Sequence, residues 1–282
     1  MNITTIVLIN GLWMTALSWE NWVKHYADKG YRVIAKSWPG MEGDIELLRR
    51  DPSSFANLGV TEVVDHYEQI IGELETPSII IGYGFGGLIA QVLLDRGWGA
   101  AGAAIASAPV RGIARLPLSI LKLAFSVLGN SFNSYATISL TPKQFHRAFT
   151  NSLTEIESLD ALKRYIVPAP NRVLLQTAFT NFTSHTAATV NFRNDTRAPL
   201  LLVAGGQDRV APSSLVKANF DLYRESKAET DYKEYPEQTH FTLLQETKVA
   251  DYALGWALCR ANGSKLTTLA NQTDSWSVQL ST

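Results

Sequence analysis

The stretch Ile79-Ile80-Ile81-Gly82-Tyr83-Gly84-Phe85-Gly86-Gly87-Leu88-Ile89-Ala90 constrains this chain more than any other. A β-branched apolar run passes through a glycine-rich turn directly into an apolar segment, so a buried strand must reverse into a helix with almost no loop. Two motifs share these letters. Gly82, Gly84 and Gly86 fit the spacing of a nucleophile elbow, G-x-S-x-G, in which small flanking residues let the strand turn so tightly that the central residue is strained and displayed at the mouth of a site. The centre here is Gly84, which has no side chain to display. Gly82, Gly84 and Gly87 also fit the dinucleotide-binding pattern G-x-G-x-x-G. That second fit lacks its context: the turn follows the third strand rather than the first, and no Asp or Glu ends the next strand, Ala101 to Pro109, to hold a ribose.

Around this turn, short apolar runs at Thr4 to Ile9, Tyr31 to Lys36, Ser78 to Gly82, Ala101 to Ala106 and Leu200 to Ala204 predict buried parallel strands, with a sixth at Thr230 to Tyr235. Helical stretches at Ser18 to Lys29, Thr61 to Leu74, Phe85 to Arg96, Ser213 to Ser226 and Glu246 to Arg260 alternate with them, the pattern of an open α/β sheet covered on both faces. The alternation breaks in residues 110–191, where apolar residues recur at helical spacing and prolines interrupt. This segment is expected to be a helical lid over the C-terminal edge of a core made of residues 1–109 and 192–261. Residues 262–282 are polar and predict a tail.

With a formal charge of −1 the chain carries no basic excess for phosphates, so nucleic acid is not an expected partner. A lone cysteine, Cys259, excludes an intrachain disulfide and a thiolate metal cluster. The apolar run Ile6 to Ile9 is far too short for a membrane span, and a cytoplasmic location is the expectation. His25, His66, His146 and His185 have no partners at metal-ligand spacing, so no metal is expected. His25 and His66 read as solvated helix residues, and His146 as a lid residue at the surface. The apolar run Ile113 to Leu128 reads as a pocket roof for an apolar or aromatic ligand.

Five segments together resemble the α/β-hydrolase superfamily over about residues 4–258. Ile9-Asn10-Gly11-Leu12-Trp13 is similar to the family's strand-His-Gly turn, Ser37-Trp38-Pro39-Gly40 to the loop after the next strand, and Gly82 to Gly87 to the elbow. Gly205-Gly206-Gln207-Asp208-Arg209 resembles the turn bearing the triad acid, and Gln238-Thr239-His240-Phe241 the turn bearing the triad histidine, in the family's order. The resemblance implies an α/β-hydrolase fold, a mostly parallel central sheet with helices on both faces and an inserted helical lid. It implies Asp208 and His240 as catalytic groups, and the N–H groups of Leu12 and Phe85, beside Gly84, as an oxyanion hole. Asn10, Trp13 and Tyr83 are expected to line the substrate pocket; core packing is an equally good reading of Trp13. Asp208 could alternatively cap the helix that starts near Pro212.

The sequence departs from the family at Asn10, at Tyr83 and, decisively, at Gly84, since glycine has no oxygen to attack a carbonyl. An Asp-held histidine and an oxyanion hole still suit proton abstraction beside a carbonyl. The expectation is therefore a cofactor-independent general-base enzyme, a lyase, cyclase or isomerase acting on a carbonyl-bearing apolar small molecule; superfamily analogy suggests specialised metabolism. The alternatives are a non-catalytic ligand-binding protein and an esterase-like hydrolase trapped by exchange of serine for glycine.

Overall fold

A computed structural model of the protein describes residues 3–113, 136–178 and 189–261. The tail 262–282, His185 and all of the roof segment except Ile113 lie outside the described residues.

The sheet is built from six strands: β1 (Thr5–Ile9), β2 (Arg32–Ala35), β3 (Ile79–Tyr83), β4 (Ala101–Ile105), β7 (Leu200–Gly205) and β8 (Thr230–Tyr235). They lie in the order β2-β1-β3-β4-β7-β8, and every neighbouring pair is parallel. The four inner strands are buried along their whole length, which is why they read as unbroken apolar runs. The edge strands β2 and β8 are half-exposed. On β8 the carboxylate of Asp231 accepts from the Trp256 indole and from Arg260, so this edge carries charge and a covering helix.

Helices α1 (Glu20–Asp28), α2 (Ile45–Arg50), α3 (Val60–Gly72) and α4 (Phe85–Asp95) follow β1, β2 and β3. Residues Phe85 to Leu94 of α4 are all buried. The small residues of β4 permit this close packing: a Cβ on Gly102 would stand 2.8 Å from Leu94 Cδ1 and 2.7 Å from the Ile80 carbonyl oxygen. The chain runs outward from β1 to β2 and then returns across β1 to β3. The strand order therefore reverses between β1 and β3, and open sheets place ligands in the crevice at the carboxyl ends of such a pair. The Asn10-Gly11-Leu12 turn and the glycine turn leave the sheet at that crevice.

The elbow itself is set by sterics. A Cβ on Gly82 would lie 1.9 Å from the carbonyl oxygen of Gly86, and one on Gly86 would lie 2.0 Å from that of Ile9. No side-chain rotamer relieves a clash with backbone. Gly82→Ala or Gly86→Ala is therefore expected to cost at least about 3 kcal/mol through overpacking and to lower the thermal midpoint by at least ~6 °C. A melt within 2 °C of the parent, a shift of well under ~1 kcal/mol, would contradict the tight-turn geometry.

Between β4 and β7 the described chain forms helices α5 (Pro142–Ala148), α6 (Glu155–Tyr165) and α7 (Asn171–Ala178), as the helical spacing predicts. It also forms an antiparallel ribbon of β5 (Thr137–Ile138) and β6 (Ala169–Pro170), which the sequence reading lacks. Thr141 and Thr154 begin α5 and α6 with reciprocal capping boxes to Gln144 and Glu157. Arg49 of α2 donates to the carbonyls of Leu162, Lys163 and Ile166, at and just past the C-terminal end of α6. Glu20 accepts from Arg164 and Tyr165, a second tie between this insert and α1. After β7 and β8 come α8 (Ser213–Leu222), the single turn α9 (Thr242–Gln245) and α10 (Thr247–Ala261). No helix among the described residues is long and apolar enough to cross a membrane.

Candidate active site

Gly84 takes φ 55° and ψ −114°, the strained elbow conformation, at the N-cap of α4. Its N–H donates to the Ile105 carbonyl, and its own carbonyl accepts from Gly87 N–H and Ala108 N–H. The loop after β4, which passes through Ala106 at φ 46°, thus holds the elbow from behind. A Cβ on Gly84 would meet nothing closer than His240 Nε2 at 3.5 Å, with Gly11 Cα at 3.8 Å. The His240 turn and the β1 turn therefore converge on the central position of the elbow, which has no side chain.

Asp208 and His240 are brought together by two packed turns. Cβ atoms on Gly205 and Gly206 would run into the carbonyl oxygens of Gln238 and Pro236, at 2.5 and 2.4 Å, so glycines here let the loop after β7 lie directly on the loop after β8. Gln207 N–H donates to the Gln238 carbonyl and Gly206 N–H to that of Tyr235. Within this frame the two oxygens of Asp208 divide their work. Oδ1 accepts from the N–H groups of Val210 and Ala211, both at 2.7 Å, and shapes the turn into α8; Oδ2 lies 2.7 Å from His240 Nδ1. The expected helix cap is not formed: the N-cap of α8 is Pro212, without a side-chain hydrogen bond, and Asp208 Oδ1 instead closes the turn that precedes the helix. Both side chains are buried, at 0% and 4% exposure. A carboxylate against Nδ1 assigns the imidazole proton to that nitrogen, which leaves Nε2 with a lone pair towards Gly84.

His240 is flanked by aromatic rings. Phe149 meets it edge-on at 5.1 Å, and Tyr83 lies tilted against it at 4.7 Å. The Tyr83 hydroxyl donates to the His240 carbonyl at 3.0 Å. Burial first, and then the negative charge of Asp208, push the Tyr83 phenol well above its ordinary range, so it remains a neutral donor.

The β1 turn carries the other expected groups. Leu12 is buried beside the crevice, and the N–H of Phe85 is the first of those that the start of α4 leaves without an intrahelical acceptor. Asn10 is wholly buried; its amide nitrogen donates to the carbonyls of Met14, at 2.6 Å, and Gly11, closing the turn on itself. Trp13 has φ 65°, rare for a bulky residue, and makes three contacts with the segment between β4 and β7. Its indole donates to the Ile138 carbonyl, its own carbonyl accepts from Val167 N–H, and its ring meets Phe149 at 6.0 Å. From below, Trp38 donates to the Asn10 carbonyl and packs edge-on against Phe85.

Phe149 is the site residue that sequence reasoning misses. It shares an exposed-looking segment with His146, and its only signal is the i, i+4 spacing from Phe145, on which it stacks from the C-cap of α5. Two other histidines lie half-exposed on helices and have hydrogen-bond partners. His25 Nε2 pairs with Asp251 at 2.7 Å, and His66 Nε2 lies 3.1 Å from the Ser37 carbonyl. His146 is half-buried rather than at the surface. Among the described residues no three His, Cys, Asp or Glu side chains cluster as metal ligands would.

Comparison with known proteins gives the same architecture. The model of the alpha/beta hydrolase family matches residues 6–252. Tomato methylketone synthase I, solved in complex with 2-tridecanone, superposes with a TM-score of 0.66 at 14% identity, covering 92% of this chain and 100% of that one. Polyneuridine aldehyde esterase superposes with a TM-score of 0.61 at 14% identity over 91% of this chain and 100% of its own. A monoacylglycerol lipase from Paleococcus ferrophilus gives 0.62 at 16% identity, over 92% and 95%. No curated protein sequence matches.

Proposed function

Because the chain belongs to the alpha/beta hydrolase family, we propose that it keeps the family's base and oxyanion hole but works without an acyl-enzyme, using His240 as a general base on a carbonyl compound. The observation that carries this reading is the juxtaposition at the elbow: His240, held by Asp208 at 2.7 Å, aims Nε2 at residue 84, and residue 84 is glycine. Gly84 stands where the family's hydrolases carry their nucleophile. Nearby hydroxyls do not replace it, because Ser107 Oγ donates to the Ala108 carbonyl and accepts from Gln91, and Thr239 Oγ1 is engaged with Thr242.

In this reading a substrate carbonyl oxygen sits against the N–H groups of Leu12 and Phe85, with an α-carbon over Gly84. Nε2 takes the α-proton, Asp208 stabilises the resulting imidazolium, and the two N–H groups meet the charge that develops on the enolate oxygen. The imidazolium then returns the proton, to carbon in an isomerase and to a leaving or newly formed group in a lyase or cyclase. Positioned base catalysis contributes roughly 10²- to 10⁴-fold, and each oxyanion donor about 3 kcal/mol. The walls, Leu12, Trp13, Phe85 and Phe149, are apolar and buried, which suits an apolar or aromatic substrate. The ligands of the methylketone synthase structures, 2-tridecanone and, in a histidine-to-alanine variant, the carboxylate β-ketoheptanoate, both carry a ketone on an alkyl chain and support a carbonyl-bearing substrate class.

Medium-chain methyl ketones in D₂O test the proposal without knowledge of the natural substrate. The protein is expected to exchange their α-protons at least ~10²-fold faster than an equal concentration of free imidazole, followed by NMR. Exchange no faster than imidazole across a panel of ketones and β-keto esters would count against a general base at this site.

A further inference from the structure

In a Ser-His-Asp triad the imidazole is fixed at both nitrogens, by the acid at Nδ1 and by the nucleophile at Nε2. Here the second anchor is missing, because residue 84 has no hydroxyl. A ring held only at Nδ1 retains freedom to tilt about that single hydrogen bond, and a misaimed base loses rate steeply, about a hundredfold for a displacement of 1 Å. Something else has to hold the ring if Nε2 is to stay over Gly84.

The residue next to the glycine does this. Tyr83, the last residue of β3, is 1% exposed, lays its ring against the imidazole at 4.7 Å and donates its hydroxyl to the His240 carbonyl at 3.0 Å. One side chain thus restrains both the ring and the backbone of a residue 157 positions away. Its own placement is stiff: the ring packs edge-on against Trp19 at 6.4 Å, and its Cδ1 lies 3.1 Å from where a Cβ on Gly11 would stand. Phe149 adds a second ring contact to the imidazole, 5.1 Å away and at 83° to its plane. We propose that Tyr83 is a positioning residue for His240, supplying from the adjacent position the restraint that a nucleophile at residue 84 would have supplied. This rests on the reading of His240 as the base.

Tyr83→Phe isolates the hydroxyl while keeping the ring, and Tyr26→Phe is the matched control, since the Tyr26 hydroxyl is equally buried and donates to one carbonyl, that of Ala250, at 2.9 Å. Both variants lose one buried hydrogen bond, so both thermal midpoints should fall by similar amounts. Only Tyr83→Phe should accelerate exchange of the His240 Nδ1 proton with water, by about tenfold or more, seen in its downfield proton resonance, and lower kcat for ketone α-proton exchange by about ten- to a hundredfold with KM unchanged. Tyr83→His, which restores the residue common in the family, keeps a ring and a donor and should recover part of both losses. If Tyr83→Phe shifts the melt as Tyr26→Phe does but leaves the Nδ1 proton as slow as in the parent, Tyr83 is a packing residue and the proposal fails. The proton measurement needs no substrate, so it decides this point even if the protein turns over no ketone, an outcome that would overturn the general-base reading instead.

Discussion

Gly84→Ser is expected to create an esterase. The substitution adds a hydroxymethyl group where a Cβ has no neighbour closer than 3.5 Å, and that neighbour is the lone-pair nitrogen of a histidine already paired with Asp208. One bond further out, the new hydroxyl falls within hydrogen-bonding reach of Nε2, which completes the arrangement of a serine hydrolase. The backbone needs no adjustment, because φ 55° and ψ −114° are the elbow's own angles; an L-residue held there costs about 1–3 kcal/mol, and the variant should melt correspondingly earlier. Loss of the serine alone removes on the order of 10⁶ in rate from a serine hydrolase, so an imperfectly tuned gain of at least ~10³ over the parent is the expected size. Hydrolysis of p-nitrophenyl butyrate should show a burst, and a fluorophosphonate should label the variant stoichiometrically and the parent not at all. A folded variant that resists the fluorophosphonate would mean that His240 does not address this position.

His240→Ala should lower turnover of any ketone substrate of the parent by roughly 10²- to 10⁴-fold, and Asp208→Asn should approach that loss by reversing the tautomer that the carboxylate imposes. The two act as a unit, so the double variant is expected to be hardly worse than His240→Ala. Additive losses, each multiplying the other, would show that the pair does not work together. Stability gives a separate check. Without the imidazole, Asp208 Oδ2 is left buried and unpaired while Oδ1 keeps its two backbone donors, an arrangement that costs about 1–3 kcal/mol. His240→Asn, which offers an amide donor to the same oxygen, should recover part of that stability and none of the turnover.

The parts of the molecule visible in sequence are those dictated by local physics. Strands β3, β4 and β7 are covered on both faces and must be apolar throughout; their extents differ from the sequence reading by one residue, at both ends of β3 and at one end of β4 and of β7. The turns after β1, β3 and β7 carry glycines because other chain segments lie close against the backbone there, and those glycines, with Asp208 and His240, mark the candidate site. What stayed hidden depends on contacts distant in sequence. The ribbon β5–β6 has two residues per strand, too few for any periodicity, and one of them is a proline. Asn10 carries no local sign that its amide is spent on Met14, nor Tyr83 that its hydroxyl is spent on His240. His25 finds Asp251 from 226 residues away.

The alternation in Gly82-Tyr83-Gly84-Phe85-Gly86 has a consequence for how such a protein diverges. The outer two glycines answer to backbone clashes at 1.9 and 2.0 Å, whereas a side chain at the central position meets only its own backbone strain, its Cβ having no neighbour from elsewhere in the chain closer than 3.5 Å. Shape and reactivity are thus encoded at different letters of one pentapeptide. Selection can exchange the chemistry at the centre, in either direction, by a single substitution while the scaffold that aims it is inherited intact.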